Sequence, residues 1–190
     1  MATRREPSNP AQSRMTSSRD EMRAIEMSRS AAGWMRGNLT TQGYRLTEAE
    51  RRELWLGLRF SIGLCLAPVI AGLALRSAVV LFAVVPIGAW AGFAARHPFD
   101  YVWNAAVRHL FGAPALPPNP ARRRHAFKLA TVWLAGVGVL LAAGATTLGL
   151  VLGGLLVAAS AMVTATNLCL PSEALALWER LTTRDEVLTT

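Results

Sequence analysis

Two cysteines, three histidines and a single lysine are all that these 190 residues hold of three side-chain types that commonly carry chemistry. Each scarcity excludes something. Cys65 lies about ten residues inside an apolar stretch, roughly 15 Å deep at 1.5 Å per residue, whereas Cys169 lies near the end of another. Depths so different do not suit an intramolecular disulfide, and both cysteines read as packing residues. The histidines, His97, His109 and His125, share one central connection, so paired intramembrane ligands for a b-type haem are missing and His97 reads as a headgroup-level residue. The chain contains no HExxH, P-loop, GxSxG elbow or zinc-ligand spacing. Ionisable residues inside a membrane mark proton relays and ion pathways, and the apolar stretches carry none near their centres. Arg59 is close enough to one end to snorkel and Arg76 occupies a turn, which argues against a pump or ion-coupled transporter. Strict alternation is also lacking, which excludes a membrane barrel. No apolar run falls within the first 30 residues, so no cleavable signal is expected and the first span should act as its own insertion signal. Arg4 and Arg5 precede no apolar region, so a twin-arginine export reading fails.

What the sequence does have is four long apolar stretches, at about 54–75, 78–95, 127–145 and 147–170. A hydrocarbon core of about 30 Å needs roughly 20 residues of helix, and each stretch is near that length. Arg76 with Ser77, and Gly144 with Thr146 and Thr147, interrupt them in pairs. The expectation is an all-α integral membrane protein with four transmembrane helices as two hairpins, cytoplasmic interfacial helices and an extended N-terminal tail. Residues 1–53 carry ten Arg against seven acids, and residues 96–128 carry five Arg and Lys128 against Asp100 alone. By the positive-inside rule both segments, and the two termini, belong in the cytoplasm. The net charge of +8 is then explained by basic loops facing anionic headgroups, without nucleic acid. Nineteen of the twenty basic residues are Arg, which with abundant Ala, Gly and Leu points to a GC-rich bacterium and an inner, cytoplasmic or intracytoplasmic, membrane.

Five segments follow. In the tail, 1–46, Ser18 with Glu21 makes a capping-box pattern ahead of a short helix closed by Trp34 and Met35. Ordering so polar a segment costs about 1–2 kcal/mol per residue, which a partner protein would have to offset. Thr47 with Glu50 repeats the pattern and starts the first hairpin, 47–95, near Glu48. The connection, 96–126, opens with an amphipathic helix whose apolar side is Phe99, Val102, Trp103, Ala106, Val107, Leu110 and Phe111, with Asp100, Asn104, Arg108 and His109 mostly opposite, ending at Gly112. A Pro-rich spacer follows, where Asn119 can cap a helix begun by Pro120 and the basic run Arg122, Arg123 and Arg124 meets headgroups or an acidic partner. The second hairpin is 127–170. In 171–190, Pro171 ends the last span, Ser172 can cap, and Ala174, Leu175, Leu177, Trp178 and Leu181 form an apolar stripe on a slightly acidic interfacial helix. Within the spans, Gly88 with Gly92 and Gly149 with Gly153 form GxxxG pairs suited to close helix packing. Pro68 and Pro86 fall near the middles of the first two spans.

His97, Pro98, Phe99 and Asp100, the Pro-rich stretch before Arg124 and Phe127, and Cys169, Leu170, Pro171, Ser172 and Glu173 together form a pattern. It resembles an uncharacterised family of bacterial four-helix inner-membrane proteins with an SPFD-like loop motif and a Cys-Leu-x-Cys-Glu-like end of the last span, over residues 60–175. Members with paired cysteines imply thiol chemistry. Ser172 stands where the second cysteine would be, which removes a dithiol mechanism and leaves Cys169 as a single thiol.

The functional expectation is a non-catalytic accessory or scaffold subunit of a larger membrane complex, respiratory or photosynthetic. Its partners would be lipids and other integral membrane subunits, with neither nucleic acid nor a soluble substrate. No cofactor is expected beyond a bound lipid or a peripheral pigment contact. Trp34, Trp103, Arg122, Arg123, Arg124 and Trp178 would meet lipid or partner. The alternatives are a redox-linked protein using Cys169 and a small-molecule carrier.

Overall fold

The computed structural model describes residues 26–28, 30, 33–34 and 37–188. Two compact units divide the chain, residues 1–37 and 38–190. In the first, the described residues are helical and Trp34 is half exposed. The capping pattern expected at Ser18 and Glu21 lies outside the described residues.

The second unit is helical throughout, with no strand among its described residues. Its helices are α1 (Glu48–Ala74), α2 (Ala78–Phe93), α3 (Pro98–Leu110), α4 (Ala121–Ala142), α5 (Thr146–Thr166) and α6 (Leu170–Leu188). α1 begins where its capping box predicts. The Thr47 hydroxyl accepts from the Glu50 N–H at 3.3 Å, and the Thr47 N–H donates to the Glu50 carboxylate at 2.7 Å. The two short turns also fall where expected, with Arg76 (φ 51°) and Gly144 (φ 79°) in the left-handed region that ends a helix sharply.

α1, α4 and α5 are each long and apolar enough to cross a membrane, and α2 taken together with α3 makes a fourth candidate bent by 79°. α2 is shorter than the stretch read from sequence because Ala94 already turns to extended backbone (φ −81°, ψ 157°) and ends the helix at Phe93. The residue before a proline is driven to extended backbone too, here φ −66° and ψ 145°, so His97 caps the next helix.

The four long helices form a ring in which α1 packs on α2 and α5, and α4 packs on α2 and α5. Leu81, Val84, Val69, Leu134, Val137 and Leu156 fill its interior. All four expected glycines sit at these contacts: Gly88 faces Thr131, Gly92 faces Lys128, Gly149 faces Leu141 and Gly153 faces Leu73, so closely that a Cβ would collide. The exterior is equally apolar, with Leu64, Phe82, Trp90, Val132 and Val151 exposed along the bundle. A bundle apolar inside and out, with its backbone bonds satisfied within helices, matches a multi-pass membrane protein.

At the end opposite the short turns, a second apolar cluster joins Leu39 and Tyr44 to Leu54 and Leu58 of α1, Trp103 of α3 and Leu116. Residues 38–46 therefore fold onto the bundle, whereas the sequence reading placed them in the polar tail. Leu39 has no helical repeat to betray it, because its partners are remote in sequence.

Candidate functional site: a buried polar knot around Asp100

His97, Pro98, Phe99 and Asp100 make a helix start. The His97 side chain accepts the Phe99 N–H at Nδ1 (3.1 Å), Pro98 occupies the first turn where an N–H is dispensable, and Asp100 Oδ2 accepts the His97 N–H at 2.8 Å. This local motif turns the Asp100 carboxylate inward. There Oδ1 accepts the Ser61 hydroxyl of α1 at 2.5 Å, and Oδ2 also accepts the Asn119 amide at 2.8 Å. The other end of that amide, Oδ1, accepts the Tyr44 hydroxyl at 2.9 Å. Three segments thus converge on one carboxylate, α1, the start of α3 and the Pro-rich connection, and Asn119 ties in a fourth, the run before α1. Arg123 of α4 completes the knot, donating to the Leu58 carbonyl at 2.9 Å and lying over the rings of Tyr44 and Phe127 at 5.3 and 5.7 Å. Ser61, His97, Asp100, Asn119 and Arg123 are all buried. Burial also pushes the Tyr44 phenol upward, so it stays a neutral donor.

Cys65 Sγ lies 3.4 Å from His97 Nε2. A thiol, an imidazole and a carboxylate in one cluster invite a nucleophilic reading, but the bonding contradicts it. In a cysteine nucleophile pair the imidazole takes the thiol proton. Here Nδ1 already accepts a backbone N–H, so neutral His97 carries its proton on Nε2 and presents a donor, not a base, to Cys65. The carboxylate does not reach the ring at all; it holds the backbone N–H.

Burial lowers the His97 pKa to about 4, aided by Arg123 and opposed by Asp100. The folded value thus lies below the unfolded one, near 6.5. Stability should be complete above about pH 6.5 and decline toward about pH 4, by up to roughly 3 kcal/mol for this group. His97→Asn, whose Oδ1 can still cap Phe99, should flatten that window. Thermal unfolding of the detergent-solubilised chain across these pH values checks it; identical slopes for the two proteins would remove the assignment.

Beside the knot, the end of α5 is captured by side chains from the other end of the chain. Arg59 donates to the carbonyls of Thr164 (2.6 Å) and Ala165 (3.3 Å), Asn38 to Thr166 (3.0 Å) and Gln42 to Asn167 (2.5 Å). These carbonyls are among those a helix leaves without intrahelical partners. Asn167, in the left-handed conformation (φ 58°), ends α5 at Thr166 instead of carrying the span on to Pro171. Pro171 instead falls in the first turn of α6, where it lacks nothing.

Several expected surface residues prove internal. Trp103 is 1% exposed, seated on Gly57 of α1, tilted 51° against Phe60 and stacked on Phe111, so it meets neither lipid nor partner. Arg123 is bound inside the knot. Arg122 pairs with Glu179 of α6 and donates to the Thr41 carbonyl at 3.1 Å, while Arg124 is half-buried. Asn119 does not cap α4, since its side chain is taken by Asp100 and Tyr44; Pro120 holds the cap position without a side-chain bond. Ser172 caps nothing, and its hydroxyl is buried without a partner among the described residues. Cys169 is buried and free, as is the half-buried Cys65 in being free. Trp34 and Trp178 are exposed as expected. No group of three metal-ligating side chains occurs among the described residues.

Tyr44, Ser61 and the hub role of Asp100 escaped the sequence reading. The available signal was the isolation of Asp100, the one acid between residues 96 and 128, set three residues beyond a histidine–proline pair.

A family model described as a domain of unknown function, DUF4395, matches residues 56–180. The chain belongs to the DUF4395 family. The matched range opens inside α1 and closes inside α6, so the DUF4395 domain holds Ser61, His97, Asp100, Asn119 and Arg123 but not Asn38, Gln42 or Tyr44. In this member, residues before the domain complete both the knot and the α5 cap. No curated protein and no solved structure matches the chain.

Proposed function

We propose that this DUF4395 protein is a non-catalytic scaffold or accessory subunit of a larger complex in a bacterial inner membrane. The observation that carries the reading is the orientation of α6. Its small and polar side, Ser172, Ala176 and Glu179, faces the bundle, and Glu179 is held there by Arg122. Its exposed side is the apolar stripe Leu170, Ala174, Leu177, Trp178 and Leu181. A soluble helix buries that side; one that turns it outward has something apolar to lay it against. α3 does likewise with Tyr101, Val102 and Leu110. The polar knot supports the same reading, because the Asp100 bonds to Ser61 and Asn119 tie three segments together and the neighbouring imidazole is held in the tautomer that cannot activate the thiol.

The test is purification in mild detergent with identification of the companions. Leu177→Glu combined with Trp178→Glu should remove the companions while leaving the thermal midpoint within about 2 °C, since exposed substitutions shift stability by only about 0.5 kcal/mol. Cys169→Ser should change neither. Loss of cellular function in Cys169→Ser with the companions retained would defeat the scaffold reading in favour of a single-thiol one.

A further inference from the structure

Near the turn that ends α1, an apolar groove of about 450 Å³ opens between α1 and α5. Ile70 and Leu73 form one wall, Leu150 and Val157 the other, Gly154 part of its lining, and Arg76 its mouth. The α5 wall runs for about 10 Å along its helix and the α1 wall, from Ile70 to Ala74, for about 6 Å. Two adjacent glycines have opposite roles here. Gly153 receives Leu73 so tightly that a Cβ would collide, which fixes the α1–α5 distance. A Cβ on Gly154 would meet nothing within 4 Å, so its missing side chain leaves the groove open and does nothing for the packing.

Arg76 stands at positive φ on the exposed turn, and its guanidinium makes no hydrogen bond or ion pair with any described residue. It is the one basic residue between Arg59 and Arg96. An apolar trough of small-molecule size that runs up to an uncompensated cation, on helices that lie in a membrane, has the polarity of a phospholipid: apolar chain below, anionic phosphate above. A second transmembrane helix would fill the trough but bring no anion to Arg76 unless it ended in an acid. We propose that this groove seats an acyl chain of an anionic phospholipid whose phosphate is bound by Arg76.

The experiment is native mass spectrometry of the full chain in mild detergent, titrated with phosphatidylglycerol or with phosphatidylcholine. The unaltered chain should take up one phosphatidylglycerol, and take it up about fivefold more tightly than phosphatidylcholine. Arg76→Asn, chosen because asparagine tolerates positive φ, should abolish that preference. Gly154→Leu should weaken both lipids at least about tenfold, with an unchanged thermal midpoint. Lipid uptake unaffected by Gly154→Leu would overturn the proposal, as would a persistent phosphatidylglycerol preference in Arg76→Asn. A change from dimer to monomer in Gly154→Leu with lipid uptake intact would overturn it too, and would assign the groove to a second copy of the chain. Should Gly154→Leu fail to fold, the preference measured with Arg76→Asn decides alone.

Discussion

Asp100→Ala is expected to lower the thermal midpoint of the solubilised protein by roughly 10 °C, more than any other single substitution in the knot. The carboxylate accepts from Ser61, from the His97 N–H and from Asn119, in a site from which water is excluded. Alanine leaves three buried donors with no acceptor, each worth about 1–3 kcal/mol and not additive, and it leaves the buried Arg123 cation without the nearby anion. A total of about 3–5 kcal/mol, at about 2–4 °C per kcal/mol for a chain of this size, gives that shift. The donors should behave differently. Ser61→Ala removes one hydroxyl while the carboxylate keeps two other donors, and Tyr44→Phe leaves only the Asn119 amide oxygen without its donor, so they should cost about 1 and about 1–2 kcal/mol. That asymmetry between hub and spokes is the signature of the arrangement. Equal losses for Asp100→Ala and Ser61→Ala would show that the carboxylate is not the centre. An Asp100→Ala protein that melts normally but has lost its cellular function would make the cluster chemical instead of structural.

The sequence was most legible where the cause of a structural feature is local. Thr47 and Glu50 announce the start of α1 because a capping box needs only four residues, and Arg76 and Gly144 mark the turns because a break in an apolar run needs only one or two. The glycine pairs could be placed at helix contacts for a similar reason: removing a side chain has one main packing use. Asn167 carried a local signal too, since asparagine tolerates the left-handed conformation, but the apolar run past it and Pro171 drew the boundary too far.

The failures have a common physical origin. Amphipathic reading assigns the polar side of a helix to the solvent, an assumption that holds when the surroundings are water. Around this bundle the exterior is apolar, and the rule inverts at α3. Asp100 faces inward while Tyr101 and Val102 face out. Trp103 shows the other limit, because its burial depends on Gly57, 46 positions earlier, leaving room on α1. The bonds that make the knot are similarly long-range: Tyr44 reaches Asn119 across 75 positions and Ser61 reaches Asp100 across 39. No window of sequence contains both partners.

Two truncations should separate the tail as a docking element from the tail as part of the fold. Removing residues 1–37 is expected to leave the thermal midpoint within about 2 °C, because residues 38–190 form their own compact unit. Removing residues 1–45 should unfold the protein or leave it trapped in aggregates. Those eight further residues include Leu39 and Tyr44 of the apolar cluster, the Asn38 and Gln42 bonds that cap α5, and the Tyr44 ring beneath Arg123. Two buried side chains at about 2 kcal/mol each and three hydrogen bonds at about 1 kcal/mol each come to roughly 7 kcal/mol, comparable to the whole stability of many domains. The short truncation is then the informative one for function. If it keeps its fold and loses its companions, the tail is the docking element. If it keeps both, docking passes to the outward stripe of α6, which the Leu177 and Trp178 substitutions address. A chain cut at residue 45 that melted like the intact protein would contradict the assignment of residues 38–45 to the bundle, and with it the claim that segments before the DUF4395 domain complete its knot.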